Sequence, residues 1–296
     1  MRLKRPFLKW AGGKTRLVPA IRALAPAEAR RLIEPFAGGG AVALNLPAPA
    51  TILADASDDL ISVYRELKRD GARFIAQCAA LFTPAANSAG VYYQRRAEFN
   101  ATKNRRRKAC LFLYLNRHGY NGLCRYNARG GFNVPFGRHA APRFPREELK
   151  AFQTRLKSCR LATADFRTVL TQAGPGDFVY CDPPYVPVSA TAHFTAYAKT
   201  AFGPREQADL AACCRAATRR GAHVVISNHD TAATRALYAD ADELRGLAVP
   251  RQISCVGTGR RAARELLVVY RPADKGRAQF PAAQAGRRYL RLINDA

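Results

Sequence analysis

The spacing of apolar and polar positions predicts a chain that alternates between helices and short buried strands. Apolar residues recur at helical spacing over 15–24, and short apolar runs at 31–36 and 51–54 are typical of strands. Three consecutive glycines at 38–40 end the first strand, and a helix follows them. Asp55 stands at the end of the second strand. This order of strand, glycine turn, helix and strand predicts an α/β fold with a parallel sheet.

The pattern becomes helical after Asp55. Ser57 is a suitable N-cap for a helix that carries apolar residues over 60–67. A loop region rich in Gly, Asn and Arg then occupies 118–145. Three further helical patterns lie before this loop, at 74–82, 92–100 and 105–116. We therefore expect a mostly helical insertion at 57–145.

Strands and helices alternate again in the second half of the chain. The predicted strands are 160–163, 177–182, 223–227 and 264–270, and the predicted helices are 205–220 and 231–239. We therefore expect one discontinuous α/β domain, formed by 1–56 and 146–272. A basic extension at 273–296, which has helical character near its end, follows this domain.

The charge balance points to a polyanionic partner. Lysine and arginine number 48 against 22 acidic residues, which gives a formal net charge of +26 over 296 residues. The insertion 57–145 holds 16 basic and 5 acidic residues, a net charge of +11. Nucleic acid is the expected partner of such a chain. An arginine-rich composition inherited from a GC-rich genome is the alternative explanation.

Several protein classes are excluded by composition. No apolar run approaches the roughly 18 residues that a membrane span needs, and no signal-type apolar segment follows the basic N-terminus. The 8 cysteines show no C-x-x-C spacing, and the 5 histidines are dispersed, so neither a metal site nor a disulfide framework is expected. Free thiols fit a reducing compartment, so we expect a cytoplasmic protein associated with the nucleoid, with no membrane contact.

The first motif with chemical potential is the glycine turn that follows Glu34. Glycines at a strand end let the main chain approach a ligand and expose a helix N-terminus to it. Asp55 would accept hydrogen bonds from ribose hydroxyls there. Gly38, Gly40 and Ala43 also satisfy the dinucleotide fingerprint, so a nicotinamide cofactor is formally allowed. A tight turn without a ligand is the simpler alternative.

A second motif joins Trp10 to Lys14 through a glycine pair. The run resembles a phosphate-binding loop, but Leu8 stands where the first glycine is required, and no convincing strand precedes it. Trp10 is the only tryptophan in the chain and could border an aromatic or cationic ligand. Packing of Trp10 in the core is the alternative.

The most informative motif is Asp182-Pro183-Pro184-Tyr185, which follows a buried strand. The prolines fix the main chain and lack amide donors, so the turn presents acceptors, the Asp182 carboxylate and the Pro183 carbonyl. An exocyclic amino group offers two hydrogens to such a pair. Tyr185 provides a face on which a heteroaromatic ring can stack. A purely structural turn is the alternative.

Together these motifs resemble the adenine-specific DNA methyltransferases of the Dam type, in the branch that recognises GATC. The resemblance covers residues 6–271 in the family's order. It rests on 7–14, 34–40, Asp55, 112–127, 131–137, Asp165-Phe166, 182–185 and 265–267. It implies a Rossmann-like sheet that binds S-adenosylmethionine, with the 57–145 insertion as DNA-recognition domain. It also implies methylation of the adenine N6 amino group in double-stranded DNA, by base flipping and direct in-line methyl transfer.

The resemblance assigns roles to individual positions. The residues expected to bind S-adenosylmethionine are Trp10, Lys14, Phe36, Gly38, Gly40, Asp55, Asp165, Phe166 and Asp182. The residues expected to act on the target base are Asp182, Pro183 and Tyr185. The residues expected to contact DNA are Lys9, Tyr120, Asn121, Leu123, Arg125, Pro135 and His139. No metal is expected, and a monomer is expected in solution.

Two departures from the family pattern stand out. His139 stands where the family often has tyrosine, so the base recognised at one end of the target sequence stays undetermined. Asp209 stands where histidine is expected. Three alternative functions also stay open: methylation of cytosine N4, a non-catalytic DNA-binding protein, and, least favoured, a nicotinamide dehydrogenase. The last leaves the Asp182–Tyr185 turn and the basic insertion unexplained.

Overall fold

A seven-stranded sheet forms the centre of the protein in a computed structural model that describes residues 3–185, 202–249 and 263–273. The strand order is β3-β2-β1-β4-β5-β7-β6. The first five strands run parallel, and β7 is antiparallel to both β5 and β6. The strands are β1 Arg31–Glu34, β2 Ala50–Asp55, β3 Cys159–Thr163, β4 Asp177–Cys181, β5 His223–His229, β6 Glu243–Val249 and β7 Ala263–Tyr270.

Helices cover both faces of this sheet. Alternate strand residues point to opposite faces, so Leu32 packs in one core and Ile33 in the other. The helices are α1 Val18–Leu24, α2 Ala41–Asn45, α3 Asp58–Arg69, α4 Gly71–Ala79, α5 Ala89–Ala101, α6 Arg105–His118, α7 Arg146–Leu156, α8 Phe166–Leu170, α9 Pro204–Arg219 and α10 Ala232–Leu237. The predicted Rossmann-like α/β class is confirmed.

Most of the predicted elements are present near their predicted positions. The Ser57 hydroxyl accepts the Leu60 amide and caps α3 as expected. The first strand ends at Glu34, earlier than predicted, because Pro35 has no amide to donate to a neighbouring strand. Three elements, α7, α8 and β6, were not predicted. Helix α8 is short, with 5 residues, and β6 carries no clear alternation of apolar and polar residues.

The predicted loop at 118–145 contains a hairpin. Residues 119–137 fold back on themselves through bridges that pair Gly119 with Phe136 and Tyr126 with Phe132. At the tip, the Asn127 side-chain oxygen accepts the amides of Arg129 and Gly131. The sequence missed this structure because its bridges are isolated and its tip is held by side chains. We call these residues the 119–137 hairpin.

The insertion packs closely on the sheet. Helix α3, which begins the predicted insertion, packs on β2 and β3 and also contacts α4 and α6. Because α3 contacts both the sheet and the helices of the insertion, the domain boundary at residue 57 stays a prediction. Within the described residues, no helix has both the length and the apolar character needed to cross a bilayer. The predicted basic extension lies outside the described residues after Ala273.

Candidate active site

Two of the predicted motifs, the glycine turn and the turn that begins at Asp182, meet at the carboxyl ends of the strands, at the point where the strand order reverses. The chain builds the sheet in one direction through β1, β2 and β3, and in the other through β4 and β5. Ligands of open α/β sheets bind outside the carboxyl ends of strands at such a point. The glycine turn follows β1 here, and Asp182 follows β4. The two motifs therefore become neighbours because their strands pair.

Asp182 accepts two hydrogen bonds from buried groups. The Lys14 ammonium lies 2.9 Å from Asp182 Oδ1 and is itself only 6% exposed. The Ser227 hydroxyl donates to the same oxygen at 3.0 Å. Burial raises the pKa of Asp182 above its ordinary value, and Lys14 and Ser227 oppose that rise. The site thus holds an acceptor carboxylate in a partly dry environment.

Side chains of β5 and α9 support the turn after Asp182 through hydrogen bonds. Gln207 is buried and donates from Nε2 to the Pro184 carbonyl at 2.7 Å. Asn228 Nδ2 donates in turn to Gln207 Oε1 at 3.1 Å. The Pro183 carbonyl, next to Asp182, is the second acceptor that the sequence predicts at this turn. Hydrogen bonds from Gln207 and Asn228 therefore support the turn.

The main chain of the glycine turn has φ values that residues with a side chain rarely adopt. Gly38 and Gly40 have φ values of +45° and +70°. A Cβ on Gly38 would lie 2.7 Å from Trp10 Nε1, so the indole packs directly on the turn. The Tyr64 hydroxyl donates to the Gly38 carbonyl at 2.5 Å. Trp10 therefore packs on the glycine turn, while a binding role for Trp10, Gly38 and Gly40 stays a prediction.

Asp55 links the ends of the first two strands. Its carboxylate accepts the Gly38 amide at 3.0 Å and the Ser57 amide at 2.9 Å. Burial raises its pKa, and these amide donors oppose that rise. A carboxylate has about four acceptor positions, so two main-chain donors leave room for ligand hydroxyls.

An aromatic cluster forms the wall beside the glycine turn. The rings of Phe36 and Phe166 stack with centroids 5.4 Å apart and an interplanar angle of 27°. Arg167 lies over the Phe166 ring and pairs with Asp165 at 3.0 Å and Asp209 at 2.6 Å. Asp209, noted above as a departure from the family pattern, thus helps to hold the arginine on this ring.

Glu34 is a buried acid at the end of β1. It is 2% exposed and comes shortly before the glycine turn in the chain. Burial raises its pKa to about 8, and a hydrogen bond from the Ala43 amide opposes that rise. Its second oxygen, Oε1, has no hydrogen-bond partner among the described residues. Glu34 is therefore mostly protonated at neutral pH.

The residues expected to contact DNA form a second group, on the insertion side of the site. Tyr120 is 45% exposed, and its amide donates to the Pro135 carbonyl at 2.9 Å. Arg125 is exposed on the same hairpin and donates from Nε to Asn133 Oδ1 at 2.8 Å. Asn121 is also exposed, with φ +52°, and Leu123 is half-buried.

Lys9 joins this group although it lies in the N-terminal segment. Its ammonium lies 3.4 Å from His139 Nε2 and 3.5 Å from the Arg117 carbonyl. Burial and the nearby Arg117 charge lower the Lys9 pKa. A Cβ on Gly122 would lie 2.3 Å from the Lys9 Cβ, so the segment and the hairpin are in direct contact.

Sequence reasoning missed the residues that support the site. Ser227, Gln207 and Asn228 belong to no motif, and each is buried and polar in the structure. The signal that could have found Ser227 and Asn228 is a pair of polar residues at the end of an otherwise apolar strand. Gln207 carries no comparable signal in α9, because polar residues are common in helices.

Comparisons with known proteins agree with this geometry. Residues 10–249 match the model of the D12 class N6 adenine-specific DNA methyltransferases. The DNA adenine methylase of Escherichia coli strain K12 is 46% identical over 272 residues, which cover 92% of this chain and 97% of the relative. The DNA adenine methylase of Vibrio cholerae serotype O1 is 43% identical over 273 residues, with 92% and 98% covered.

The family match decides between the functions left open by the sequence. It favours adenine over cytosine as the target, and it favours an enzyme over a non-catalytic binding protein or a nicotinamide dehydrogenase. The resemblance to adenine-specific DNA methyltransferases, inferred from the motifs, is thereby confirmed. A methyltransferase also requires a methyl donor. This chain belongs to the D12 class of N6 adenine-specific DNA methyltransferases, and it acts on DNA.

Proposed function

We propose that this enzyme transfers a methyl group from S-adenosylmethionine to adenine N6 at GATC sites of double-stranded DNA, after flipping the adenine out of the helix. One observation carries the proposal: Asp182 at the end of β4 is a neighbour of the glycine turn after β1. A methyl donor bound at the glycine turn and an adenine amino group bound at Asp182 would lie close enough to react. Proximity of this kind contributes about 7–11 kcal/mol in well-aligned cases.

The chemical groups of S-adenosylmethionine match the residues around the glycine turn. S-adenosylmethionine carries a carboxylate, ribose hydroxyls and an adenine ring, and it supplies an electrophilic methyl group when bound. Lys14 offers an ammonium, and Asp55 offers acceptor positions. Phe36 and Phe166 offer flat apolar surfaces. Trp10, Gly38, Gly40 and Asp165 complete the proposed binding residues, and the positive φ of Gly38 and Gly40 favours residues without a side chain at both positions.

The two acceptors of the turn that begins at Asp182 suit the amino group of the target adenine. The lone pair of an adenine amino group is delocalised into the ring, so the amine is a weak nucleophile. Hydrogen bonds from its two hydrogens to the Asp182 carboxylate and the Pro183 carbonyl would localise that lone pair. The same acceptors stabilise the positive charge that develops on nitrogen. Tyr185 provides the stacking face for the flipped base.

The DNA side rests on the exposed residues of the insertion. Arginine forks onto the O6 and N7 atoms of guanine in the major groove, which is the role proposed for Arg125. Leu123 and Pro135 are apolar and suit a thymine methyl group, and exposed Tyr120 suits the gap left by a flipped base. Lys9, Asn121 and His139 complete the proposed reading surface. The net charge of +26 supplies affinity for phosphates.

The test is a map of modified bases. DNA from cells that lack adenine methylation is incubated with the purified enzyme and labelled S-adenosylmethionine, then hydrolysed for nucleoside mass analysis and sequenced for modified positions. The expected product is N6-methyladenine within GATC. N6-methyladenine at another sequence would reject the GATC assignment, and unlabelled product would reject the methyl donor.

Base flipping has its own readout. A duplex with 2-aminopurine at the target position should gain fluorescence on enzyme binding, because an unstacked 2-aminopurine is no longer quenched. A duplex with 2-aminopurine outside the site is the control. Equal fluorescence from the two duplexes would reject base flipping.

A further inference from the structure

Tyr185 is anchored at its hydroxyl by an acid from a distant part of the chain. The hydroxyl donates to Glu265 Oε2 at 2.6 Å. Glu265 lies near the start of β7, opposite His229 of β5. Because β7 runs antiparallel, its first residues reach the same sheet edge as the carboxyl ends of the parallel strands. The sheet therefore delivers Glu265 to the active site.

Two further side chains contact the ring of Tyr185. The His229 ring meets it at an interplanar angle of 78°, with centroids 4.8 Å apart. The Lys14 ammonium lies 4.5 Å from its centroid. Both contacts involve the ring and not the hydroxyl group. The hydroxyl bond to Glu265 is the directional contact among them, because hydrogen bonds weaken steeply with angle.

We propose that Glu265 is a positioning residue for methyl transfer: through the Tyr185 hydroxyl it sets the plane on which the flipped adenine stacks. The inference rests on the proposed function, in which Tyr185 stacks on the target base. A hydrogen bond to a carboxylate is roughly twice as strong as one between neutral groups, so it holds the ring against thermal tilting. A tilted ring would turn the amine away from Asp182 and Pro183.

Four variants test the proposal by single-turnover methylation. Glu265→Ala and Tyr185→Phe each remove the same hydrogen bond, and each should lower the rate by about 10-fold to about 100-fold. Glu265→Gln keeps an acceptor for the hydroxyl and should stay within about 5-fold of the wild type, since a neutral acceptor retains part of the bond. The double variant, which combines Glu265→Ala with Tyr185→Phe, should be at most about 2-fold slower than the slower of the two single variants. The two residues act through one contact, so their losses should not add.

A second readout separates positioning from a structural role. With 2-aminopurine at the target position, Glu265→Ala and Tyr185→Phe should alter the fluorescence of the flipped base, while cofactor affinity and unfolding midpoint stay near wild-type values. Glu243→Gln is the matched control, because Glu243 lies on the neighbouring strand β6 and pairs with exposed arginines. It should leave both readouts unchanged.

The outcomes distinguish this inference from the proposed function. If the wild type methylates adenine and either Glu265→Ala or Tyr185→Phe is as fast, the inference is wrong while the function stands. Additive losses in the double variant, or an equal loss in the control variant, would also overturn it. If the wild type transfers no methyl group to adenine, the proposed function itself fails.

Discussion

The side-chain amide of Asn116 forms two hydrogen bonds with the main chain of Lys9. Asn116 Oδ1 accepts the Lys9 amide at 2.9 Å, and Nδ2 donates to the Lys9 carbonyl at 2.7 Å. Asn116 lies on α6 of the insertion and is fully buried. Asn45 binds the main chain of Lys4 in the same way, at 2.8 and 2.9 Å. These two asparagines position the N-terminal segment that carries Trp10 and Lys14.

The first prediction concerns this attachment. Asn116→Ala leaves two main-chain polar groups of Lys9 without their partner, and a buried unsatisfied group costs about 1–3 kcal/mol. We expect the free energy of unfolding to fall by at least that amount in urea titrations. Gln94→Ala, an exposed position on α5, is the control and should change little. An unchanged unfolding midpoint for Asn116→Ala would show that this attachment contributes nothing.

The second prediction concerns Asp182. Asp182→Asn keeps the shape of the side chain but replaces one acceptor oxygen by a donor and removes the charge, so methyl transfer should fall by about 100-fold or more. DNA affinity should change little, because phosphate contacts dominate it. Labelled methyl transfer and a DNA-binding titration measure the two effects. Asp240→Asn, which alters an ion pair with Arg215, is the control. Normal turnover of Asp182→Asn would remove Asp182 from the mechanism.

The third prediction is a pH dependence of methyl transfer. Asp182 must be ionised to accept the amine hydrogen, so the rate falls as pH falls through its pKa, which burial raises above the ordinary aspartate value. The Ser227 hydroxyl stabilises the ionised form at 3.0 Å and so lowers this pKa. Ser227→Ala should therefore move the acidic limb of the rate profile to higher pH. Thr218→Ala, on α9, is the hydroxyl control. A limb that stays in place would contradict the assignment.

The fourth prediction is a pH dependence of stability that comes from Glu34. Burial raises its folded-state pKa from 4.5 to about 8. The unfolded chain loses this proton first, so the free energy of unfolding falls as pH rises between about 4.5 and about 8. Glu34→Gln mimics the protonated form and should remove this fall.

Urea unfolding on both sides of that window provides the measurement. The midpoint of the wild type should drop more than the midpoint of Glu34→Gln between about pH 6 and about pH 9. Glu147→Gln, at an exposed position in the first turn of α7, should behave as the wild type does. If the wild type and Glu34→Gln lose stability in parallel, Glu34 is ionised in the folded protein.

The fifth prediction concerns the choice of sequence. Arg125→Ala should relax discrimination against sites that differ from GATC by one base, by about 1–3 kcal/mol, while nonspecific affinity falls less. Arg129→Ala is the matched control, because Arg129 is an exposed arginine at the tip of the same 119–137 hairpin. Methylation rates on GATC and on single-base variants measure the discrimination. An unchanged site preference would make Arg125 a phosphate contact.

The fold class and the order of motifs were predictable from the sequence because they depend on local patterns. The periodicity of apolar residues revealed most helices and strands, and the Ser57 cap is a contact within one helical turn. The 119–137 hairpin was not predictable, because its bridges are isolated and because side chains hold it, at its own tip and from α5. Tyr92 and Arg96 donate to the Val134 carbonyl, each at 3.0 Å.

The sequence by itself determined which chemical groups are present: a glycine turn after one strand and an acceptor turn after another. Tertiary structure alone decided that these turns are neighbours, since the pairing of β1 with β4 depends on the packing of the whole sheet. It also decided which residues support them, namely Ser227, Gln207 and Glu265. Such contacts join residues far apart in the chain, where no local pattern records which polar side chain will face which.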